Sequence, residues 1–319
     1  MKRKTIRKIL KQNIGPWLES IKDDEVRRLA KRDTIVTGGC ITSMLLHEKI
    51  NDFDIYFKTR ETTLAVAKYY LDEFLARNPA TNDKVELTVD DSKPDRIAIH
   101  AKSVGIVSED QSVENYQYFE SRPDEEGGHY VTQAAGTLNS PGSIQDAYEE
   151  LEEQSAEVTS TDPADAYRPV FMSSNAITLS DRIQIIIRFY GEPEEIHGNY
   201  DFVHCTNYWT ASDDNLVLRP KALEAILARE LVYVGSKYPV CSVIRLRKFI
   251  RRGWQINAGQ ILKMVMQIND LDLNNIEVLQ DQLTGVDSAY FHQVIGRLKE
   301  KDSTRVDSAY LVEIIDRIF

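Results

Sequence analysis

Cysteine is scarce in this chain of 319 residues: Cys40, Cys205 and Cys241 stand far apart, with no Cys-x-x-Cys pair and no companion histidine at ligand spacing. A disulfide framework and a zinc site of the usual spacing are thereby excluded, and a reducing compartment, the cytoplasm, is the expected setting. Long apolar runs are missing as well. No stretch approaches the roughly 20 residues needed to cross a bilayer, so no membrane partner is expected. The basic N-terminus, MKRKTIRKILKQNIGPWLESI, lacks the unbroken apolar segment of a secretory signal. No Gly-x-Gly-x-x-Gly, no Gly-x4-Gly-Lys-Ser/Thr and no Gly-x-Ser-x-Gly occurs, which removes the dinucleotide fingerprint, the P-loop and the nucleophile elbow. His47-Glu48 opens a zinc-protease pattern, but Asn51 stands where its second histidine is needed.

What is present suffices for a core. With 42% hydrophobic residues the chain can build two domains, each of roughly 100 to 200 residues. The net charge of −11 is unevenly spread. From Ser108 to Asp165 fifteen acidic residues face Arg122 alone, so the remainder is mildly basic. That segment is rich in Ser, Gly, Glu and Asp and poor in aliphatics, the composition of a solvated, mobile insertion. Strand-like runs are expected at Thr34 to Thr37, Phe53 to Phe57, Val85 to Val89, Arg96 to Val107, Val170 to Ile177 and Asp201 to Trp209, and helices at Glu61 to Arg77 and Ser180 to Tyr190. Ile6, Ile9, Leu10 and Leu18 form helical stripes that Gly15-Pro16 is expected to interrupt. After Arg219-Pro220 the strand signals stop. VDSAYFHQVIGRL (Val286 to Leu298) and VDSAYLVEIIDRI (Val306 to Ile318) form a near repeat, each with an Asp placed to cap a helix. The organisation expected is an α+β protein: N-terminal helices over 1–30, a mixed-sheet domain over 31–215 with the acidic insertion at 108–165, and a helical domain over 216–319.

TIVTGGCITSMLLHEKINDFDIYF, Thr34 to Phe57, carries the chemistry. A short strand runs into Gly38-Gly39 and then a short helix, so free backbone N–H groups meet a position where glycine lets a phosphate approach. In the next strand Asp52 and Asp54, two residues and about 7 Å apart, share one face while Phe53 and Ile55 take the other. Two carboxylates so placed suit Mg2+ or Mn2+, which take oxygen ligands and leave room for substrate phosphates. A phosphate seat beside a metal seat implies nucleotide chemistry.

Gly38, Gly39, Ser43, Asp52 and Asp54 resemble the glycine–serine and Asp-x-Asp signature of the DNA polymerase β-like nucleotidyltransferase superfamily. The resemblance implies a palm of mixed sheet and helices, and an incoming NTP, ATP among the candidates. Gly38, Gly39 and Ser43 would hold its triphosphate, Asp52 and Asp54 would bind two metal ions, and a third carboxylate would come from a neighbouring strand. For that third group Asp201, which begins an apolar run, is the first choice and Glu86 the rival. NYDFVHCTNYW and KYPVCSVIRLRKFIRRGW loosely resemble two blocks of the class II poly(A) polymerases and CCA-adding enzymes, although the two arginines of the first block and the base-reading Glu-Asp-x-x-Arg block are absent. By that resemblance Arg245, Lys248, Arg251 and Arg252 would line a nucleotide or RNA cleft; the plainer reading is a solvated basic helix. The overall pattern is most similar to nucleotidyltransferase-like proteins carried by bacteriophages, which implies action in the host cytoplasm. The reaction implied is transfer of a nucleotidyl group to an acceptor hydroxyl, an RNA 3′ end first, a small molecule or a protein second. A binding or virion-associated module without turnover is the alternative from a different class.

Overall fold

The computed structural model describes residues 1–77, 85–103, 118–120, 166–173, 175–283 and 309. Almost all of the acidic insertion and of the two repeat segments near the C-terminus lies outside the described residues, as do 104–107 of the run expected from Arg96.

Helix α1 (Arg3–Ser20) buries Ile6, Leu10, Ile14, Trp17 and Leu18, a stripe at three- and four-residue spacing. Gly15-Pro16 does not interrupt it. Pro16 sits inside the helix, and buried side chains on either side hold the backbone helical despite the missing N–H. Helix α2 (Asp24–Asp33) starts where Asp23 accepts hydrogen bonds from the N–H groups of Glu25 and Val26. Its acids in the first turn and Lys31 and Arg32 in the last complement the helix dipole. Then follow β1 (Thr34–Thr37), α3 (Gly39–Leu46), β2 (Phe53–Phe57) and α4 (Arg60–Arg77). Strands β3 (Val85–Asp90) and β4 (Ala98–Ser103) form an antiparallel pair of their own. β5 (Tyr118–Glu120), β6 (Pro169–Ser173), β7 (Ala176–Leu179), β8 (Ile183–Tyr190), β9 (Tyr208–Thr210) and β10 (Asn215–Val217) join β1 and β2 in one eight-stranded sheet of order β10-β9-β1-β2-β8-β7-β6-β5. β2 and β8 run parallel and the other neighbours antiparallel, so the sheet is mixed. Phe53, Ile55, Phe57, Ile183, Ile185 and Ile187 belong to one buried cluster with Trp17 of α1 and Val66, Tyr70 and Phe74 of α4. Within it the Trp17 indole donates to the Tyr70 hydroxyl at 2.8 Å.

Three expectations are corrected here. The run from Ser180 to Tyr190 is a turn over Ser180 to Arg182 and then strand β8, not a helix: Ile183, Ile185 and Ile187 alternate, β-branched, on a strand paired on both sides, and the extra Ile186 blurred that period of two. Val170 to Ile177 is two strands, because the chain turns between Ser173 and Ala176 and pairs with itself. Asp201 to Trp209 is not one strand: a 3₁₀ turn spans Val203–Cys205, closed by Thr206 bonding the Val203 carbonyl through both its N–H and its hydroxyl, and β9 begins only at Tyr208.

The described residues divide into two compact units, the first holding α1 to α4 and both sheets, the second holding His197–Thr206 and the described residues from Arg219 onward. Past a short helix α5 (Pro193–His197), the described part of the second unit is helical: α6 (Pro220–Ala228), α7 (Pro239–Arg251), α8 (Ala258–Asn269) and α9 (Ile276–Leu283). Phe202, His204, Phe249 and Trp254 pack ring against ring within it, His204 and Trp254 with centroids 4.2 Å apart. Among the described residues no helix is long and apolar enough to cross a membrane.

Candidate active site

The geometry of the first unit turns on Gly38. It lies between β1 and α3 with φ 89° and ψ −147°, a conformation side chains disfavour. A Cβ built there would stand 2.3 Å from the Asp54 carboxylate oxygen Oδ2. Two independent demands therefore fix glycine at this position, and the close approach brings the start of α3 against the carboxylate. At Gly39 an added Cβ would meet nothing within 4 Å, so the first helical residue is open to solvent. Ser43 follows one turn later, half-buried, on the same side of α3 as Gly39.

Asp54 lies in β2, and Asp52 lies one residue ahead of it, both half-buried. The two neighbouring strands fix what stands beside them. Level with Asp54 are Thr37 on β1 and Gln184 on β8, both uncharged. The Thr37 hydroxyl donates to the Asn207 carbonyl at 2.9 Å. Just ahead of β8, Arg182 accepts on its carbonyl the N–H of Phe53, the residue between the two aspartates, at 2.8 Å. Among the described residues no group of three or more His, Cys, Asp or Glu side chains is placed to hold a metal. Asp52 and Asp54 are an all-oxygen pair, which fits Mg2+ or Mn2+ completed by substrate phosphates and water.

The remaining expected site residues lie on other elements, Glu86 in the first unit and the rest in the second. Asp201 belongs to the second unit, buried, and accepts a two-pronged hydrogen bond from Arg245, Nε to Oδ2 at 2.5 Å and Nη2 to Oδ1 at 2.9 Å, with Ser242 Oγ adding a third at 2.7 Å. That arrangement neutralises a buried carboxylate within its own unit. Glu86 stands opposite Lys102 on the separate β3–β4 pair and not on a strand beside β2. Lys248 and Arg251 occupy the last turn of α7 and Arg252 caps it, where cations offset the carbonyl end of the helix. Arg251 and Arg252 are exposed.

Two histidines of the second unit are buried and held neutral. Burial pushes His204 down to about 3, partly opposed by Asp201; burial, helped by Arg219, does the same to His197, also to about 3. In the first unit Asp33 shows the reverse. Burial alone would raise it, but hydrogen bonds from Arg32, Thr62 and Thr59 hold it down to about 2.

Gln184 and Arg182 escaped sequence reasoning because their segment reads as a helix, which has no register against β2. The signal that would have found them is the alternation Ile183, Ile185, Ile187 directly after a three-residue turn.

Comparison with known proteins adds the following. The family described as "Gabija anti-defense 2 family protein" matches residues 8–229. The protein named "Gabija anti-defense 2" of Bacillus phage SPbetaL7 is 23% identical over 139 residues, which is 43% of this chain and 33% of that protein, so the match spans a third of the relative's length. Among solved structures, the Thermotoga maritima CCA-adding enzyme complexed with tRNA is similar at 11% identity and a TM-score of 0.36, covering 85% of this chain and 49% of that one.

Proposed function

This chain belongs to the Gabija anti-defense 2 family, and from that premise we propose that it acts for a bacteriophage against the Gabija defence, in the host cytoplasm, as a nucleotidyltransferase of the polymerase β-like kind. The observation that carries the reading is the contact of Gly38 with Asp54: the turn that opens α3 is moulded onto the carboxylate of β2, which brings an anion-binding helix start and an Asp-x-Asp pair into one place. Asp52 and Asp54 would hold Mg2+ or Mn2+, and the metal would supply charge neutralisation for an NTP. The backbone N–H groups at Gly39, with Ser43, would hold the β- and γ-phosphates. In the reaction an acceptor hydroxyl oxygen bonds to the α-phosphorus, the bond from that phosphorus to the β-phosphate bridge breaks, pyrophosphate leaves, and the hydroxyl proton passes to solvent. An RNA end is the acceptor placed first, on the resemblance of the α7 segment to the class II enzymes, ahead of a small molecule or a protein.

A second reading, a nucleotide-binding module without turnover, is favoured by the uncharged Thr37 and Gln184 at the two positions level with Asp54. One experiment separates the two. Phage infection is scored in Gabija-carrying cells that express the wild type, Asp52→Asn or Asp54→Asn, and the purified proteins are offered each α-labelled NTP with Mg2+ or Mn2+ and RNA, protein and small-molecule acceptors. Transfer of label together with loss of protection in both variants supports the enzyme. Protection without label in any fraction supports the binding module.

A further inference from the structure

Three residues, Ser180, Asp181 and Arg182, connect β7 to β8. Asp181 and Arg182 both have positive φ, 64° and 65°, and neither is glycine. An aspartate tolerates this left-handed conformation, whereas an arginine is strained in it, a strain that Asn or Gly would largely avoid. The turn holds Arg182 there through several ties. The hydrogen bond from the Phe53 N–H to the Arg182 carbonyl fastens it to the backbone between Asp52 and Asp54. On the same backbone, Phe53 is level with Ile183, which sets Arg182 one residue earlier beside Asp52, about 5 Å away by strand spacing. The guanidinium, half-buried, donates from Nη1 to the Ile50 carbonyl at 3.3 Å, a long bond that engages one of its five N–H groups. This is a backbone carbonyl and not a carboxylate. Arg182 is therefore not spent as the counter-ion of the aspartates.

We propose that Arg182 is a phosphate-binding residue of this site, whose guanidinium receives the β- and γ-phosphates of the NTP and stabilises the departing pyrophosphate. The inference rests on the nucleotide reading above and deepens it. Charge supports the assignment. A triphosphate carries about four negative charges, Asp52 and Asp54 add two, and a divalent metal does not balance that sum, so a site for such a tail needs a fixed cation beside the carboxylates. Arginine suits the task because its planar fork meets two phosphate oxygens at once and stays charged at any working pH. The strained turn sets that fork at the entry end of β2, the end where the helix start of α3 opens.

The test measures, by calorimetry on the full chain, binding of inorganic tripolyphosphate and of ATP, GTP, CTP and UTP, each with Mg2+, to the wild type, Arg182→Asn, Arg182→Lys and Asp54→Asn. Asn accepts the left-handed conformation, so Arg182→Asn should keep or raise the melting temperature while weakening tripolyphosphate and the preferred NTP at least tenfold. Arg182→Lys, which keeps the charge but loses the fork, should fall between. Unchanged affinity in Arg182→Asn, with binding to the wild type and its loss in Asp54→Asn, overturns the role of Arg182 alone. Affinities that follow the melting temperatures and not the charge overturn it as well. A wild type that binds neither tripolyphosphate nor any NTP removes the nucleotide reading, and this inference with it.

Discussion

At Gly38 backbone and chemistry make the same demand, since one residue must take φ 89° and also leave room for the Asp54 oxygen. Gly38→Ala should cost about 2 to 4 kcal/mol of stability, the sum of a strained φ and a displaced carboxylate, read as a lowered denaturation midpoint. Asp54→Asn keeps the volume beside Gly38 and removes the charge that a metal needs, so the chain should still fold, read by circular dichroism, while Mg2+-dependent NTP binding is lost. Unfolding of Asp54→Asn would make that carboxylate structural. For Asp201, structural work is what the contacts describe. Asp201→Asn leaves the half-buried Arg245 guanidinium without its charged partner and should destabilise the second unit by about 1 to 3 kcal/mol, measured by urea unfolding.

At the scale of elements, α1 and β8 show packing overruling local signals. Gly15 and Pro16 should end a helix, yet five buried side chains, each contributing on the order of 1.5 to 3 kcal/mol, hold the turn that contains them. Pro16 is exposed and contributes no apolar burial that alanine would forfeit. Pro16→Ala should therefore stabilise the protein by about 1 to 2 kcal/mol, by restoring a backbone donor inside the helix. A fall in melting temperature would mean that proline at this position is needed for the fit of Trp17 against Tyr70. In β8 the isoleucines belong to a strand because β2 and β7 both pair with it, and that pairing sets Gln184 and Arg182 near the aspartates.

Over the whole molecule, acid should act through the histidines before it reaches the carboxylates. His197 and His204 are held near 3 in the folded chain, against an ordinary value near 6.5 when unfolded. Between those values the unfolded chain binds more protons, so stability falls as pH drops from about 6.5 toward 3, by up to about 1.4 kcal/mol per pH unit for each histidine. Asp33 contributes in a different window. Its folded value is depressed to about 2, so its stabilisation is complete above the ordinary carboxylate value near 3.9 and is lost only as pH falls from there through 2. Denaturation midpoints measured from pH 7.5 to pH 4 should therefore decline. His204→Phe, which suits a site among Phe202, Phe249 and Trp254, should flatten that decline. An unchanged slope in this variant would show that His204 is not the group responsible.

Whatever depends on neighbours along the chain could be read from the residues in order. The strand, glycine turn, helix and Asp-x-Asp strand from Thr34 to Phe57 were legible, as were α4 and the end of strand signals at Arg219-Pro220, because each rests on a local period or on the conformational freedom of one glycine. Tertiary structure alone decided which residues stand beside the aspartates. Ile183 to Tyr190 is a strand because two other strands, one of them more than a hundred residues earlier in sequence, offer it hydrogen bonds, and no local pattern encodes such a partner. The same non-local choice bound Asp201 to Arg245, 44 residues away, since a carboxylate taken out of water must find a cation wherever the chain brings one, and sequence distance does not enter that energy.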